Sequence, residues 1–238
     1  LETLAQTENG LSLGTLSNQT GLSKSTVHRI LATLKERGYA EQNQSGSYEI
    51  GAKLIDTVSC HINALDLQTE SRPFLAELRK ELDLTTHLGI LDGPYVVYVE
   101  RISLLPSTRL YTQVGYRSPA YCSSMGKCLL ACLSGDKLDE VLDQCSFESF
   151  TKNTCRSKKE FRTLLRQIRR QGWAMDDEEY QLGHRCVGAP VFDYRGDAVA
   201  AVSASGTAAE ISNQSLEKIK QAVIQSAHKI SHRMGFIP

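Results

Sequence analysis

Polar residues with the chemistry of a small-anion site occur in the segment YCSSMGK. Ser123 and Ser124 lie where a helix is predicted to begin, and the backbone amides of Met125 and Gly126 follow them. The first N–H groups of a helix have no intrahelical acceptor, and the helix dipole favours negative charge near them. The segment is therefore suited to hold a carboxylate, although many helices open with serine for capping alone.

A second polar pair occurs in VSASG, near the end of the predicted sheet. Ser203 and Ser205 alternate with Ala204, so both hydroxyls point to the same face of a strand. On an inward face they need hydrogen-bond partners, because a buried unpaired polar group costs about 1–3 kcal/mol, and a polar ligand would supply them. Cys186 is expected on the neighbouring strand. The alternative is that both serines face water.

Histidines offer further chemistry at two places. His87 lies between Thr86 and Leu88 on a predicted strand and faces away from the Leu88 side. There it can bind a ligand hydroxyl or serve as an ordinary core histidine. His228 and His232 have a spacing that can hold zinc on a helix, but the sequence offers no third ligand. We therefore predict no metal and no cofactor, and we place this pair on the surface.

A catalytic site is one alternative to a binding site. Cys186 would be the nucleophile, His87 or His184 the base, and Asp176 the group that orients the base. His184 lies two residues from Cys186, so both side chains can share one face of a strand. Asp176 belongs to the acidic run at residues 176–179, which is predicted to be mostly solvated. We expect binding rather than catalysis, and we assign no catalytic residue.

The segment GLSKSTVHRILATLKERGY, residues 21–39, is predicted to be a helix that reads DNA. Its apolar residues fall on one face at helical spacing: Val27, Ile30, Leu31 and Leu34. The other face presents short polar residues, which let the backbone approach base edges, and an arginine long enough to reach guanine. The predicted DNA contacts are Lys24, Ser25, Thr26, His28, Arg29 and Lys35, together with Ser45 and Ser47 of the turn that follows.

Charge alone does not favour strong DNA binding. Residues 1–50 contain four Lys and Arg against five Asp and Glu, whereas DNA-binding proteins usually gain affinity by neutralising phosphates. The four cations all lie between Lys24 and Arg37, at the predicted DNA-reading helix. Two or four copies on one operator would offset a weak affinity per subunit. The alternative is a module of this shape that contacts only proteins.

The elements that position the DNA-reading helix form a small unit, residues 1–50. It contains the tail of one helix, a second helix capped by Ser12, and the third helix, capped by Ser23 and closed by Gly38. Two strands follow, joined around residues 44–46. Three helices and a hairpin in this order are typical of a winged helix-turn-helix.

A linker helix is predicted over residues 51–70. Its apolar residues are spaced like a short heptad seam, formed by Leu54, Ile55, Val58, Ile62 and Leu65. Because a helix between two units has little of its own domain to bury against, we predict that this stripe pairs with its twin in a dimer. Packing onto the second unit is the alternative.

The second unit, residues 71–238, is predicted to be an α+β domain in which helices cover the faces of a mainly antiparallel sheet. Strands are predicted in TTHLGILDGPYVVYVERIS, STRLYTQVG and RCVGAPVFDYRGDAVAAVSASG. Helices are predicted in RPFLAELRKEL, SSMGKCLLACL and SKKEFRTLLRQIRRQGW, and over residues 212–234. The hydrophobic periodicity and the Gly-containing turns support these assignments.

Composition agrees with a globular protein. Of 238 residues, 41% are hydrophobic and 23% charged, with no net charge, so no global field attracts the chain to anionic membranes. No apolar run approaches the roughly 20 residues of a membrane helix. The seven cysteines include no C-x-x-C pair, which indicates a reducing, cytoplasmic compartment. We expect no membrane contact.

Several segments resemble the IclR family of bacterial transcriptional regulators. In the first unit these are GLSKSTVHRIL and LKERGY. In the second they are THLGILDG, YCSSMGKCLLA, DDEEYQLGHRCVGAPVFD and AVSASG. Their order and spacing match the family across nearly the whole chain. The resemblance implies an N-terminal winged helix, a linker helix and a C-terminal effector-binding domain related to the GAF fold.

The resemblance also implies partners and a mode of action. Members bind double-stranded operator DNA as a homodimer or tetramer, sense small organic acids or aromatic metabolites, and control catabolic operons; a repressor is expected here.

Carried over by position from the family, the effector site falls on Leu110, Ser118, Ser124, Met125, Asp176, Cys186, Ser203 and Ser205. His87 is added from its own strand position. Serines, a histidine and an anion-binding helix start favour a hydroxylated carboxylate such as a sugar acid, whereas Leu110 and Met125 would also suit an aromatic ring. A GAF-like module that acts through protein partners stays open as the alternative.

Overall fold

The computed structural model of the chain describes residues 1–7, 9–54, 57, 66–103 and 113–237. The chain divides into two compact units, Leu1–Leu65 and Asp66–Pro238. Most of the predicted linker stripe lies outside the described residues: Ile55, Val58, Ile62 and Leu65. Its pairing in a dimer therefore stays a prediction.

The first unit consists of three helices and a two-stranded antiparallel hairpin. These elements are α1 (Glu2–Ala5), α2 (Leu13–Thr20), α3 (Lys24–Glu36), β1 (Ala40–Gln42) and β2 (Tyr48–Ile50). Leu11 adds an isolated bridge to Tyr48 in the second strand. Three helices followed by a wing match the predicted winged helix-turn-helix order.

Predicted caps fix the ends of α2 and α3. The hydroxyl of Ser12 accepts from the backbone N–H of Thr15, and that of Ser23 accepts from the N–H of Thr26. At the end of α3, Gly38 has a φ of +74°, which glycine adopts without strain. The N–H of Gly38 donates to the carbonyl of Lys35, and the N–H of Tyr39 donates to that of Leu34. This pair of bonds ends the helix and turns the chain into β1.

A small apolar core holds these elements together. It consists of Leu4, Leu16, Val27, Leu31, Ala40 and Tyr48. Ile30 is not part of it, because 45% of its surface is exposed. The prediction that Ile30 lies on the buried face of the helix was therefore wrong: at 100° per residue it falls beside the stripe of Val27, Leu31 and Leu34 rather than within it.

The second unit is built on one antiparallel sheet. The described strands are β3 (Thr85–Asp92), β4 (Tyr95–Ile102), β5 (Arg117–Pro119), β6 (Ala174–Asp177), β7 (His184–Phe192) and β8 (Ala198–Thr207). Their order in the sheet is β5-β4-β3-β8-β7-β6. The described helices of this unit are α4 (Leu67–Leu82), α5 (Ser124–Cys132), α6 (Gly135–Gln144), α7 (Lys158–Gln171) and α8 (Leu216–Arg233).

Helices pack on both faces of the sheet, so alternate residues of each strand enter different layers. One face packs against α4 and α8 in a core that includes Leu88, Val187 and Val202. The opposite face packs against α5 and α7, in a core that includes Met125 and Phe161. This is the predicted α+β architecture with an antiparallel sheet flanked by helices.

The structure differs from the sequence prediction at several elements. α6 and β6 were not predicted; β6 has only four residues, and two of them, Asp176 and Asp177, belong to the acidic run. Most of the predicted strand STRLYTQVG lies outside the described residues, and its last residues, 113–115, form a bend and a turn. α4 begins at Leu67 with Asp66 as its N-cap, so it spans the predicted boundary between residues 70 and 71.

Candidate functional site

A cavity of about 270 Å³ lies between the start of α5 and the sheet. It is lined by strand residues from β3, β4, β6, β7 and β8 and by the first turn of α5. Predicted effector residues on its wall are His87, Ser118, Ser124, Met125, Asp176, Cys186, Ser203 and Ser205. Leu110, the remaining predicted residue, lies outside the described residues. Residues far apart in sequence thus converge on one enclosed space.

Strand register explains why these side chains meet. Residues paired across an antiparallel ladder point to the same face. One cross-strand row runs through Asp176, Cys186, Ser205 and Thr85, and the adjacent row runs through Gly188, Ser203, His87 and Arg101. Ser203 and Ser205 are 2% and 6% exposed. The alternative in which these serines face water is therefore wrong, because α5 covers this face.

The start of α5 comes down onto the sheet at Gly188. A Cβ at this position would lie 3.1 Å from the carbonyl carbon of Ser124 and 3.2 Å from the nitrogen of Met125. A Cβ would be crowded at these distances, so glycine suits the close approach of the helix to the strand. Ser123 is the N-cap of α5, and its hydroxyl accepts from the N–H of Gly126. The positive end of the helix therefore faces the cavity, as an anion requires.

His87 is a buried, neutral group on the cavity wall. It is 2% exposed, and its ring meets that of Tyr98 edge to face with centroids 5.1 Å apart. Burial, with smaller contributions from Arg101 and His184, lowers the pKa of His87 to about 3. Its Nε2 has no hydrogen-bond partner among the described residues. The residue packs in the core and also lines the cavity, and its binding of a ligand hydroxyl stays a prediction.

The acidic run at residues 176–179 is solvated only in its middle: Asp177 is exposed and Glu178 is half-buried. Asp176 and Glu179 are 6% and 8% exposed, and Lys127 of α5 is 1% exposed. The ammonium of Lys127 forms a buried ion pair with Oε1 of Glu179 and also donates to the carbonyl of Met175. The prediction of a mostly solvated run is therefore wrong for Asp176 and Glu179, because they pack under α5 and no local pattern shows that packing.

Burial controls the ionisation of the two groups that a catalytic interpretation requires. It raises the pKa of Asp176 to about 7, although Lys127 acts in the opposite direction. It also raises the pKa of the Cys186 thiol well above its usual range, and such a thiol is not activated as a nucleophile at neutral pH. The Nδ1 of His184 makes its hydrogen bond to the carbonyl of Gly206. The geometry shows polar binding groups rather than an activated nucleophile.

Sequence reasoning missed several residues of the wall. Tyr98, Arg101 and Tyr180 all line the cavity. The Tyr180 hydroxyl lies 2.7 Å from that of Tyr116, which joins the segment before β5 to the segment after β6. Burial raises the pKa of Tyr98. Alternation along β4 could have indicated Tyr98. It would not have indicated Arg101 as well, because the register of the β3–β4 ladder shifts between Leu88 and Gly89, and this shift interrupts the period of two.

Two further properties concern metals and membranes. Within the part of the chain that the structure describes, no cluster of three or more His, Cys, Asp or Glu side chains has a metal-binding arrangement. His228 is exposed on α8, as is His232. None of the described helices combines the length and the apolar character needed to cross a bilayer.

The candidate DNA-reading surface is the outer face of α3. Lys24, Ser25, His28, Arg29 and Lys35 are exposed, and Thr26 is half-buried. The hydroxyls of Ser25 and Thr26 each lie 2.9 Å from that of Ser23. These hydroxyls therefore form one polar cluster around the N-terminal turn, beside the helix N–H groups that attract phosphate.

The wing lies beside the C-terminal half of α3. Lys35 donates to Gln42 of β1 over 3.2 Å. In the turn, Oδ1 of Asn43 accepts from the N–H of Ser45 and of Ser47. Ser45 is exposed and Ser47 half-buried. All eight predicted DNA contacts thus belong to α3 or to the wing, and the structure places them on a single unit.

Known proteins resemble this chain along nearly its whole length. The model of the IclR helix-turn-helix domain matches residues 1–44, and that of the bacterial transcriptional regulator IclR C-terminal domain matches residues 60–232. The chain is 34% identical to the HTH-type transcriptional regulator XynR of Escherichia coli (strain K12), over 95% of this chain and 90% of that protein. It is 33% identical to the HTH-type transcriptional regulator KdgR of the same organism, over 96% and 88%.

A solved structure supports the fold. The repressor BlcR of Agrobacterium tumefaciens superposes with a TM-score of 0.86 at 22% identity, over 99% of this chain and 93% of that one. The two family models together account for both units, and the named relatives are regulators rather than enzymes. The chain belongs to the IclR family and is a helix-turn-helix transcriptional regulator that binds DNA.

Proposed function

We propose that this regulator is a ligand-responsive repressor of a catabolic operon. α3 and the wing bind double-stranded operator DNA, and a small organic acid, a hydroxylated carboxylate such as a sugar acid, binds in the cavity under α5. The chain acts in the cytoplasm as a homodimer or tetramer. Six cysteines of the described residues are free, which supports a reducing compartment.

The observation that carries the ligand proposal is the composition of the cavity wall. Ser203, Ser205 and His87 are at least nine-tenths buried, yet they face an open space instead of packed side chains. Groups of this kind cost free energy unless a bound molecule or water completes their hydrogen bonds. Together with the N-terminal turn of α5, they provide sites for hydroxyls and for a carboxylate.

Cavity size and lining favour a small polar ligand. A volume of about 270 Å³ equals the share of roughly nine water molecules in the liquid. Met125, Tyr98 and Tyr180 give the wall an apolar part, which an aromatic acid would use. The serine pair and His87 have no comparable role with an aromatic ring, so a hydroxylated acid uses more of the wall.

Thermal denaturation of the full chain with a panel of small acids tests the ligand proposal. A ligand that binds only the folded state raises the melting temperature by mass action. We expect hydroxy acids to raise it more than aromatic acids do. Ser203→Ala should abolish the rise, while Ser226→Ala, which removes a buried hydroxyl on α8 away from the cavity, should keep it. No rise with any acid would contradict the proposal.

Operator binding is tested by gel shift on the DNA upstream of the chain's own coding region. Arg29→Ala should weaken specific binding by roughly tenfold to hundredfold, the effect of one lost contact to a base edge. Arg37→Ala removes an exposed cation at the other end of α3 and should weaken binding less. If Arg29→Ala leaves both affinity and base preference unchanged, α3 does not read the bases. No shift even at low salt would favour action through a protein partner.

A further inference from the structure

We propose that Asp176 binds the effector in its protonated form and donates a hydrogen bond to it, so that at alkaline pH the capture of each acid is accompanied by the uptake of one proton. This inference rests on the proposed capture of an organic acid in the cavity under α5. It adds a specificity-determining role for one residue of the wall and makes the response of the regulator depend on pH.

The first argument is the hydrogen bonding of Asp176. Its Oδ1 accepts from the N–H of Glu179 over 2.8 Å and from that of Tyr180 over 3.4 Å. Its other oxygen accepts no hydrogen bond from the described residues, and this side chain lines the cavity. One oxygen is thus held by the backbone, and the carboxyl group turns its second oxygen toward any ligand that enters.

The second argument is the balance of charge beneath the cavity. Lys127 is a buried cation of α5, but its ammonium already binds Glu179 and the carbonyl of Met175. Within the described residues, no Lys or Arg forms an ion pair with Asp176. Arg101 of β4 also lines the cavity. An anionic ligand that binds beside Asp176 would therefore bring a second negative charge next to a carboxyl group that has no cationic partner. Two such carboxylates cannot both stay ionised at close range, and one proton shared between them removes the repulsion.

The ionisable groups around Asp176 do not replace this proton. On neighbouring elements these groups are Lys127 of α5, Glu179 and Tyr180 after β6, Cys186 and His184 of β7, Cys122 before α5, His87, Tyr98 and Arg101 across the sheet, and Asp83 and Glu210 at the rim. Burial keeps the thiols and the Tyr98 phenol protonated, and it keeps His87 neutral. The pKa of Asp176, raised to about 7 by its burial, allows this residue to gain a proton near neutral pH.

His184 is the group that could produce a similar pH dependence. It lines the cavity, and a protonated imidazole would attract an anion. Its Nδ1 bonds to the carbonyl of Gly206, so the ring has one nitrogen left for a ligand. The experiment must therefore separate Asp176 from His184.

Calorimetry on the full chain provides the test, with glycolate, D-glycerate and D-gluconate as probes. Each titration is run at pH 5.5 and pH 8.5, in two buffers with different ionisation enthalpies, which counts the protons taken up. If only protonated Asp176 accepts the acid, affinity falls about tenfold per pH unit above the pKa, or about thirtyfold in total at pH 8.5. We expect close to one proton per ligand at pH 8.5 and close to none at pH 5.5.

Three variants assign the proton. Asp176→Asn keeps a donor but cannot titrate, so it should bind equally at both pH values and take up no proton. His184→Gln and Glu210→Gln, both on the cavity wall, should keep the pH dependence of the wild type. Loss of that dependence in His184→Gln, or its retention in Asp176→Asn, would overturn the proposal.

The wild-type proton count decides the question even if a variant fails to fold. Equal binding at both pH values without proton uptake overturns the role of Asp176 and leaves the proposed effector capture intact. If none of the three acids binds at either pH, the capture of hydroxy acids is itself wrong, and the proton uptake falls with it.

Discussion

The two faces of the sheet in the second unit are built from the same strands, yet they differ in chemistry. On the face that packs against α4 and α8, Leu88, Val187 and Val202 are fully buried in an apolar core. On the face under α5, the next residues along the same strands are His87, Cys186 and Ser203, and they line a cavity. The polar groups of the first face are paired within the protein: Thr86 donates to the carbonyl of Leu75, and Glu100 accepts from Arg72.

This difference shows how one strand can serve stability and binding at once. Alternate side chains point to opposite faces, so a period of two separates the residues that fill the core from the residues that face a ligand. The apolar face stabilises the fold, because it buries hydrophobic surface. The cavity face keeps polar groups whose partners are incomplete until a ligand arrives. Substitutions on the two faces should therefore differ in their effect on stability and in its dependence on pH, and four experiments test this.

The largest effect is expected beneath the cavity face. Lys127→Met leaves Glu179 as a buried, uncompensated charge, and breaking such a pair costs about 4 kcal/mol of unfolding free energy. Urea denaturation at pH 7 measures it. The double variant Lys127→Met with Glu179→Gln should recover much of the loss, since no charge then stays buried alone. A single variant as stable as the wild type would show that this face does not depend on charge pairing.

On the apolar face, Leu88→Ala should cost about 3 kcal/mol, because it removes a fully buried side chain and leaves a void. Denaturation at pH 5.5 and at pH 8 should give the same loss, since no ionisable group is removed. A loss that depended strongly on pH would show that the ionisable groups of the cavity face also affect packing on the apolar face.

At Asp176 we expect an intermediate effect on the free energy of unfolding, and this effect depends on pH. Its pKa is raised from 3.8 to about 7 in the folded state, so the folded chain binds more protons than the unfolded chain between these values. Wild-type stability therefore falls as pH rises from 4 to 7 and levels off above 7. Asp176→Asn lacks this titration, so its stability relative to the wild type should rise by about 2 kcal/mol between pH 5 and pH 7. Thermal denaturation of both proteins across pH measures the difference.

The smallest effects distinguish hydroxyls on the two faces. Thr86→Val removes a bond to the carbonyl of Leu75, which stays buried without that donor, so we expect a loss of about 1 kcal/mol. Ser205→Ala removes a hydroxyl that faces the cavity and should cost about 0.5 kcal/mol, the lower end for a single hydrogen bond. Chemical denaturation of both variants in parallel makes the comparison. The reverse order would mean that the cavity hydroxyls are part of the stabilising network.

Much of the fold follows from local patterns. Ser12 and Ser23 cap their helices as predicted, Gly38 ends α3, and α5 begins after Ser123. Each of these features depends on residues a few positions apart, so the local sequence is enough to predict it. The prediction of a solvated run at residues 176–179 was wrong for Asp176 and Glu179, because their burial depends on the packing of α5 with Lys127, about fifty residues away, and no local pattern indicates such a contact.

The sequence by itself determined the order of most elements, the caps, the shared face of Ser203 and Ser205 on their strand, and the family to which the chain belongs. Only the tertiary structure decided that Asp176 and Glu179 are buried, that Arg101 and Tyr98 join the cavity wall, and that the start of α5 lies directly on Gly188. The physical reason is that capping and alternation act over a few residues, whereas burial and the pKa shifts it causes depend on which distant segments pack together.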